Sequence, residues 1–241
     1  MDHLHIAIAA EKLGAIAGVP ITNTLVTTWA VMAFLIVGSI WVGARLSVAP
    51  RGIQNFFETL FEYVLDFIAD VLGSRKMAAA FFPLLVTIFL FIWVSNWAEF
   101  LPGIGSIRFG EHPLLRSVNT DMNVTLALAL IAFVVIEIAG VRALGIGGYA
   151  GKFFNFSSPL NFFVGVIELA SELARIVSFS FRLFGNIFAG EVLIAVATAF
   201  LPLVLPVPLM AFELFVGFIQ AAVFALLTLF FIKIAMTPLA H

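Results

Sequence analysis

The sequence contains no cysteine and few charged residues. Asp, Glu, Lys and Arg together make up 11% of its 241 residues, and the formal net charge is only −2. The lack of cysteine excludes disulfide bonds, thiol catalysis and thiolate metal ligands. The low charge argues against a surface that binds nucleic acid. The few histidines form no HExxH motif, so we expect no metal site, haem or other cofactor.

Apolar residues are abundant from one end of the sequence to the other. They make up 63% of the chain, against about 45 to 50% in an ordinary soluble domain. Because no polar block or linker interrupts them, we expect a single all-α integral membrane domain over residues 1–241. The N-terminal stretch MDHLHIAIAAEK lacks the basic character of a secretory signal, so we expect the first apolar run to stay as a membrane span.

Apolar runs of sufficient length locate the predicted spans, because a helix needs about 20 apolar residues to cross the hydrocarbon core. The predicted membrane-spanning helices cover residues 25–43, 81–100 and 121–141. Glycine, proline and charge predict loops at 101–120 and 143–159.

The segment 51–72 has a different pattern from the spans. Acidic residues recur there every fourth position on an otherwise apolar helix, at Glu58, Glu62, Asp66 and Asp70. One acidic stripe of this kind is typical of an amphipathic helix that lies in the membrane interface or turns its stripe toward a partner.

Two longer apolar regions, 159–200 and 209–235, follow these segments. Between them lies LPLVLPVP, whose prolines break a helix. A helix over 159–200 would be about 63 Å long, roughly twice the hydrocarbon thickness. A reversal inside it at RLFGN would leave a return leg of only about 15 residues, too short to span comfortably. We therefore predict two long, strongly tilted helices that form a hairpin.

The basic residues near the ends of the predicted helices and in the loops predict the orientation of the chain. With the N-terminus outside and the C-terminus in the cytoplasm, seven basic residues are cytoplasmic and three are external. The cytoplasmic residues are Arg45, Arg51, Arg75, Lys76, Arg142, Lys152 and Lys233, and the external residues are Lys12, Arg108 and Arg116. Because basic residues accumulate in cytoplasmic loops, the sequence favours this topology.

The predicted helix 159–200 carries polar residues where lipid cannot solvate them. At about 100° per residue, most of these residues share an arc of about 120° with Arg182, and Glu191 falls opposite. The others on the arc are Glu168, Ser171, Glu172, Arg175, Ser178 and Asn186. An arginine at mid-membrane costs about 2.5 to 3.5 kcal/mol on insertion scales and usually marks a functional site. The alternatives are that Arg182 reaches a lipid headgroup or pairs with a neighbouring acid, and that Glu168, Glu172 and Arg175 form an interfacial ion-pair cluster.

The last predicted helix adds two more polar residues. Glu213 and Gln220 are seven positions apart and lie on one face. In a hairpin, Glu213 would lie at the same outer end as Glu191, with the Glu168 and Glu172 group at the other end. Arg182, which stays protonated at physiological pH, would then separate two polar vestibules as a fixed positive barrier.

Several motifs together are similar to those of one known family. RLFGN at 182–186, the following AGE, SNWAEFLPG at 95–103 and NTDMNVTLALAL at 119–130 resemble segments of subunit a of the F-type ATP synthase membrane sector. Glu168 and Gln220 also match, and the resemblance covers most of the chain. It implies a stator in the bacterial plasma membrane whose two tilted helices, 159–200 and 209–235, face a ring of c subunits. Peripheral-stalk b subunits, the rest of the complex and lipid are the other implied partners, and no ATP chemistry falls on this chain.

The resemblance also implies roles for the polar residues. Arg182 would be essential, because it attracts the ring carboxylate in its charged form and blocks direct leak between two offset half-channels. Glu191, Glu213 and Gln220 would line the outer half-channel, Asn186 would lie near the arginine, and Glu168 and Glu172 would border the inner one. Many members place a histidine and an acid where this chain has two acids, Glu213 and Glu191. A histidine relay is therefore not expected.

Two other functions compete with this interpretation. One is a self-contained ion-coupled transporter that binds its substrate near Arg182, and the other is a membrane scaffold that conducts nothing. The sequence shows no internal repeat and has fewer spans than most transporter folds.

Overall fold

The described part of the chain is mainly helical. The computed structural model describes residues 10–16, 18–47, 52–101, 107–109, 112–153, 158–202 and 204–238. Within them lie six helices: α1 (Asn23–Gly43), α2 (Ile53–Leu72), α3 (Arg75–Ala98), α4 (Met122–Phe153), α5 (Pro159–Phe200) and α6 (Pro206–Met236). All except α2 are long and apolar enough to cross a membrane, judged by length and composition. A helical membrane protein is what the sequence predicts.

Two short hairpins depart from the all-α expectation. Strands β1 (Lys12–Ile16) and β2 (Val19–Thr22) pair antiparallel before α1, and β3 (Arg108–Phe109) pairs with β4 (His112–Pro113) between α3 and α4. Both lie in connecting segments, where backbone groups outside a helix still need hydrogen-bond partners. Arg51, His3, His5 and His241 lie outside the described residues.

Two helices begin earlier than predicted, α3 because a side chain caps it and α6 because its prolines are tolerated in the first turn. Helix α3 begins at Arg75 rather than at residue 81, because the Ser74 hydroxyl accepts a hydrogen bond from the Met77 N–H at 3.5 Å. Helix α6 begins at Pro206 rather than at residue 209. Its prolines fall in the first turn, where a helix N–H has no partner within the helix and proline is tolerated.

The predicted loop at 143–159 is wrong over most of its length. Helix α4 continues to Phe153 across a break at Gly145, whose φ of 73° is left-handed. The Tyr149 ring lies where a Cβ on Gly140 would be. A straight helix would separate these two residues by about 13.5 Å. Residues 146–153 therefore fold back along the part of α4 that precedes Gly145, and we call them the return segment.

Helices α5 and α6 lie antiparallel, with the end of α5 next to the start of α6. Asn186 contacts Gln220 nearer these two ends, and Phe179 contacts Phe231 farther from them. The packed interior joins this pair to α3 and α4, through residues such as Ile92, Ala132, Leu183 and Phe224. These contacts fix the position of each helix along the axis of the bundle, here called its height, relative to its neighbours.

The bundle has two ends, which carry different residues. The Glu99 end comprises the last residues of α3 and α5 and the first residues of α4 and α6. The opposite, Lys152 end is closed by lysines: the Lys152 Nζ donates to the Ala235 carbonyl at 2.9 Å, and the Lys233 Nζ donates to the Leu72 carbonyl at 3.3 Å. Lysine at the C-terminus of a helix satisfies carbonyls that have no partner within it.

Candidate functional site

Arg182 lies in the middle of α5 with its side chain exposed. Its Nη2 donates to the Ser178 hydroxyl at 3.2 Å. Among the described residues, no carboxylate forms an ion pair with it. Leu183, the next residue, is fully buried and fixes the rotation of the helix. Arg182 is therefore an outward positive charge that the described part of the chain does not neutralise.

The exposed face around Arg182 is continuous along α5. Ser178, Asn186, Ala189 and Leu193 lie on the same side of the helix and are exposed. Hydrocarbon cannot solvate a guanidinium, so this face requires a polar partner or water in the membrane.

Glu191 and Glu213 come together at the Glu99 end. Glu213 is only 6% exposed, and its carboxylate lies against Gly190, where a Cβ would overlap it. Glu213 Oε1 and Glu191 Oε2 are buried and have no hydrogen-bond partner among the described residues. Buried polar groups are nearly always paired in proteins, so these oxygens are suited to a proton, an ion or water.

An amide pair joins the two long helices between these acids and Arg182. The Asn186 Nδ2 donates to the Gln220 Oε1 at 2.8 Å, and Gln220 is 4% exposed. Asn186 is one turn from Arg182, so the pair connects the face of Arg182 with the interior.

Helix α6 is held in place by α3. The Asn96 side chain donates to the Gly217 carbonyl at 2.9 Å, and the Trp97 indole donates to the Leu214 carbonyl at 2.9 Å. These bonds fix the height of α6, and with it the position of the Glu213 carboxylate.

Glu99 is a candidate site residue that the sequence analysis missed. Its Oε2 accepts a hydrogen bond from the Ser117 hydroxyl at 2.9 Å. Burial raises the pKa of Glu99 to about 8; Glu191 and Glu213 raise this pKa as well, whereas Ser117 and Arg116 lower it. The signal was the acid in SNWAEFLPG, which lies inside the predicted span 81–100 one residue before its end. We call Glu99, Glu191 and Glu213 the Glu99 cluster.

Glu99→Gln is expected to remove a pH-dependent loss of stability. Because the folded pKa of about 8 exceeds the ordinary 4.5, the stabilisation is complete below pH 4.5 and is lost as pH rises toward 8. The variant keeps a neutral side chain, so its melting temperature should fall less over this range. Each kcal/mol corresponds to about 2 to 4 °C in a chain of this size. Thermal melts of the purified complex measure the difference. Parallel pH profiles for wild type and variant would contradict it, and Glu58→Gln, on the exposed face of α2, is the matched control.

A second polar group lies nearer the Lys152 end. The Arg175 Nη1 bonds Glu172 Oε1 at 2.6 Å, and its Nη2 is 4.0 Å from Glu168. The guanidinium also stacks over the Phe231 ring at 4.5 Å. Ser171 is not part of this contact, because its hydroxyl donates to the Ile167 carbonyl of its own helix.

Arg182 therefore lies between two groups of acids. Along the axis of α5, Glu191 is about 13.5 Å from Arg182 in one direction and Glu172 about 15 Å in the other. A permanently charged residue between two buried acidic groups can hold an anion at its face and repel a cation that moves along the helix.

Comparison with known proteins identifies the family. Residues 25–233 match the model of the family described as ATP synthase A chain. ATP synthase subunit a, sodium ion specific, of Propionigenium modestum is 36% identical over 93% of this chain and 78% of its own. ATP synthase subunit a of Moorella thermoacetica is 35% identical, covering 89% of this chain and 90% of its own. That of Gloeobacter violaceus is 40% identical, covering 86% and 80%. The chain therefore belongs to the ATP synthase A chain family.

Proposed function

We propose that this chain is the proton-translocating stator subunit in the membrane sector of a bacterial F-type ATP synthase. The observation that carries the proposal is the exposed Arg182, unpaired among the described residues and lying between two groups of acids. The face of α5 that carries it would contact a ring of c subunits, each with one carboxylate in the membrane. The peripheral-stalk b subunits and the rest of the complex are the other proposed partners.

The Glu99 cluster would form the outer half-channel. Its two unpartnered carboxylate oxygens, on Glu191 and Glu213, can accept a proton from external water and release it again. The Asn186 and Gln220 amides would guide the proton from the cluster toward the ring carboxylate. Glu168 and Glu172, held by Arg175, would border the inner half-channel at the Lys152 end.

Arg182 would act electrostatically rather than as a proton carrier. A carboxylate in low dielectric prefers its neutral form, and a nearby guanidinium favours the ionised form. Each ring carboxylate would therefore give up its proton on approaching Arg182 and take up another after passing it. Because Arg182 keeps its own proton, protons cannot cross directly between the half-channels. A membrane potential supplies about 2.3 kcal/mol per charge per 100 mV to drive the movement.

The proposed orientation places the Lys152 end in the cytoplasm and the N-terminus outside. Arg45, Arg75, Arg142, Lys152 and Lys233 lie toward that end of the bundle. Basic residues favour the cytoplasmic side. At 42 residues, α5 fits the membrane when strongly tilted.

The first experiment is purification of the native complex with identification of its chains. A small ring-forming proteolipid and the catalytic head should co-purify with this chain. Recovery without either would contradict the proposal. One relative is named as sodium ion specific, so the ion is tested by ATP-driven pumping in sodium-free buffer. Proton uptake there supports protons, and a requirement for sodium contradicts them.

Glu213→Gln is expected to slow proton uptake from the outer side by roughly a hundredfold, the lower end of the range for a positioned acid or base. The amide has the same shape but cannot exchange a proton. Gradient-driven ATP synthesis in vesicles measures the effect. Equal rates in wild type and variant would make Glu213 a structural residue, and Glu58→Gln is again the control.

A further inference from the structure

Glu137 on α4 has no role in the sequence analysis or in the proposed mechanism so far. Its Oε2 accepts a hydrogen bond from the Tyr149 hydroxyl at 3.0 Å. Its Oε1 is buried and has no partner among the described residues. Glu172 on α5 has the same deficit: the residue is 4% exposed, Arg175 bonds its Oε1, and its Oε2 has no described partner.

These two acids belong to one electrostatic group at the Lys152 end. The charges of Glu137 and Glu168 both act on Glu172, and Arg175 partly offsets them. Tyr149 interacts with Glu137, Glu172 and Arg175, so the return segment closes the group from the side of α4.

The cations of this group do not satisfy the acids. Arg175 bonds Glu172 through one oxygen only and extends its other nitrogen toward Glu168. Lys152 is near the acids but donates to the Ile234 and Ala235 carbonyls of α6. Lys233, from α6, donates to the Leu72 carbonyl of α2 and is not counted in this group, because the charges that act on Glu172 and Tyr149 do not include it. Three carboxylates thus face two cations, one of them bonded elsewhere.

An ordinary structural ion pair does not account for this arrangement. Buried side-chain oxygens are nearly always hydrogen-bonded, and leaving one without a partner is unfavourable. Here two helices each present such an oxygen within one group of three acids. One added proton would remove the excess negative charge and supply the missing donor.

We propose that Glu137 and Glu172 together hold one exchangeable proton and form the last protein site of the inner half-channel. This proposal rests on the proposed function of the chain. A proton released when the O–H bond of a ring carboxylic acid breaks forms a new O–H bond at Glu172 Oε2 or Glu137 Oε1. That bond then breaks as the proton passes to cytoplasmic water, and the carboxylate regains its charge.

Tyr149 is a positioning residue for this site. Its hydroxyl orients Glu137 so that the second carboxylate oxygen stays free. The ring can reach Glu137 because Gly140 has no Cβ and Gly145 reverses the chain. The return segment thereby covers one oxygen of a partly buried acid of α4 and brings this acid into the group.

The test is Glu137→Gln in the intact complex, in inverted vesicles that expose the cytoplasmic face to the buffer. Passive proton flux after removal of the catalytic head is measured against buffer pH, with the internal pH held constant. We expect the variant to lose one titration step of the wild-type profile and to conduct about a hundredfold more slowly. Tyr149→Phe should keep the step and shift its midpoint. A Glu137→Gln profile that superimposes on wild type, as the Glu58→Gln control should, overturns the proposal.

Two further variants keep the outcome decisive. If Glu137→Gln does not assemble, Glu137→Asp keeps an acid on a shorter side chain. A displaced titration step in that variant supports the shared site, and an unchanged profile overturns it. Arg182→Ala tests the proposed function separately. If Arg182→Ala loses ATP synthesis but the flux profile of Glu137→Gln matches wild type, only the proposal of the shared proton site is refuted. If Arg182→Ala retains ATP synthesis, the proposed function itself is refuted.

Discussion

Arg182→Ala should abolish ATP synthesis driven by an ion gradient while the complex still assembles. The side chain is exposed, and its described hydrogen bond is to Ser178 on its own helix, so its loss leaves no cavity in the bundle. What is lost is the positive charge that favours an ionised ring carboxylate. A desolvated charge pair of this kind contributes about 2 to 5 kcal/mol, which predicts at least a thirtyfold drop in synthesis.

The same variant should increase passive proton leak, because the barrier between the half-channels is gone. Synthesis in reconstituted vesicles and leak after removal of the catalytic head are measured on one preparation. Arg45→Ala is the matched control: Arg45 is also exposed, and it stacks on Trp41 at the end of α1, far from the α5–α6 pair. Coupled synthesis that survives in Arg182→Ala would refute the role given to this residue.

Arg182→Lys separates the charge from its shape. Lysine keeps a positive charge but presents one ammonium instead of a planar group with five N–H donors. If the positive charge alone blocks passive proton leak between the half-channels, Arg182→Lys should keep this leak low. The variant should still synthesise ATP poorly, because lysine would hold the ring carboxylate in a different geometry. Wild-type synthesis in Arg182→Lys would show that bidentate geometry is not needed.

The limits of α5 are predictable because they depend on local signals. Ser158 accepts a hydrogen bond from the Leu160 N–H at 3.2 Å, and Pro159 occupies the first turn. At the other end, prolines stop the helix. The exposed and buried sides of α5 follow from its periodicity, which puts Arg182 and Leu183 on different sides.

Features that depend on contacts between distant residues are not predictable in this way. GIGGYA has the composition of a loop, and only the contact of Tyr149 with Gly140 and Glu137 shows that the chain reverses there as a helix. Glu99 is far from Glu191 in the sequence. The two residues come together because of the heights at which α3, α5 and α6 pack against one another. A helical wheel places residues around one axis and carries no information about such heights.

Gly190→Ala should impair proton translocation strongly while changing stability little. An added Cβ would overlap the Glu213 carboxylate, which is the far end of a flexible side chain and can move aside. The backbone of α5 and α6 need not separate. Displacing a proton-exchanging group by about 1 Å can reduce a rate by up to a hundredfold. Gradient-driven synthesis should therefore fall by roughly tenfold to a hundredfold.

Two other glycine-to-alanine changes serve as controls, one with no expected effect and one that is expected to lower stability. Gly38 on α1 has open space around its Cβ position, so Gly38→Ala should alter neither stability nor synthesis. Gly165 on α5 lies against the backbone carbonyl of Phe153, which cannot swing away, so Gly165→Ala should lower the melting temperature of the complex. If Gly190→Ala behaves like Gly165→Ala, the glycine serves only helix contact. If it loses synthesis with an unchanged melting temperature, the position of the Glu213 carboxylate limits proton uptake, because the three atoms nearest to the added methyl group all belong to that carboxylate.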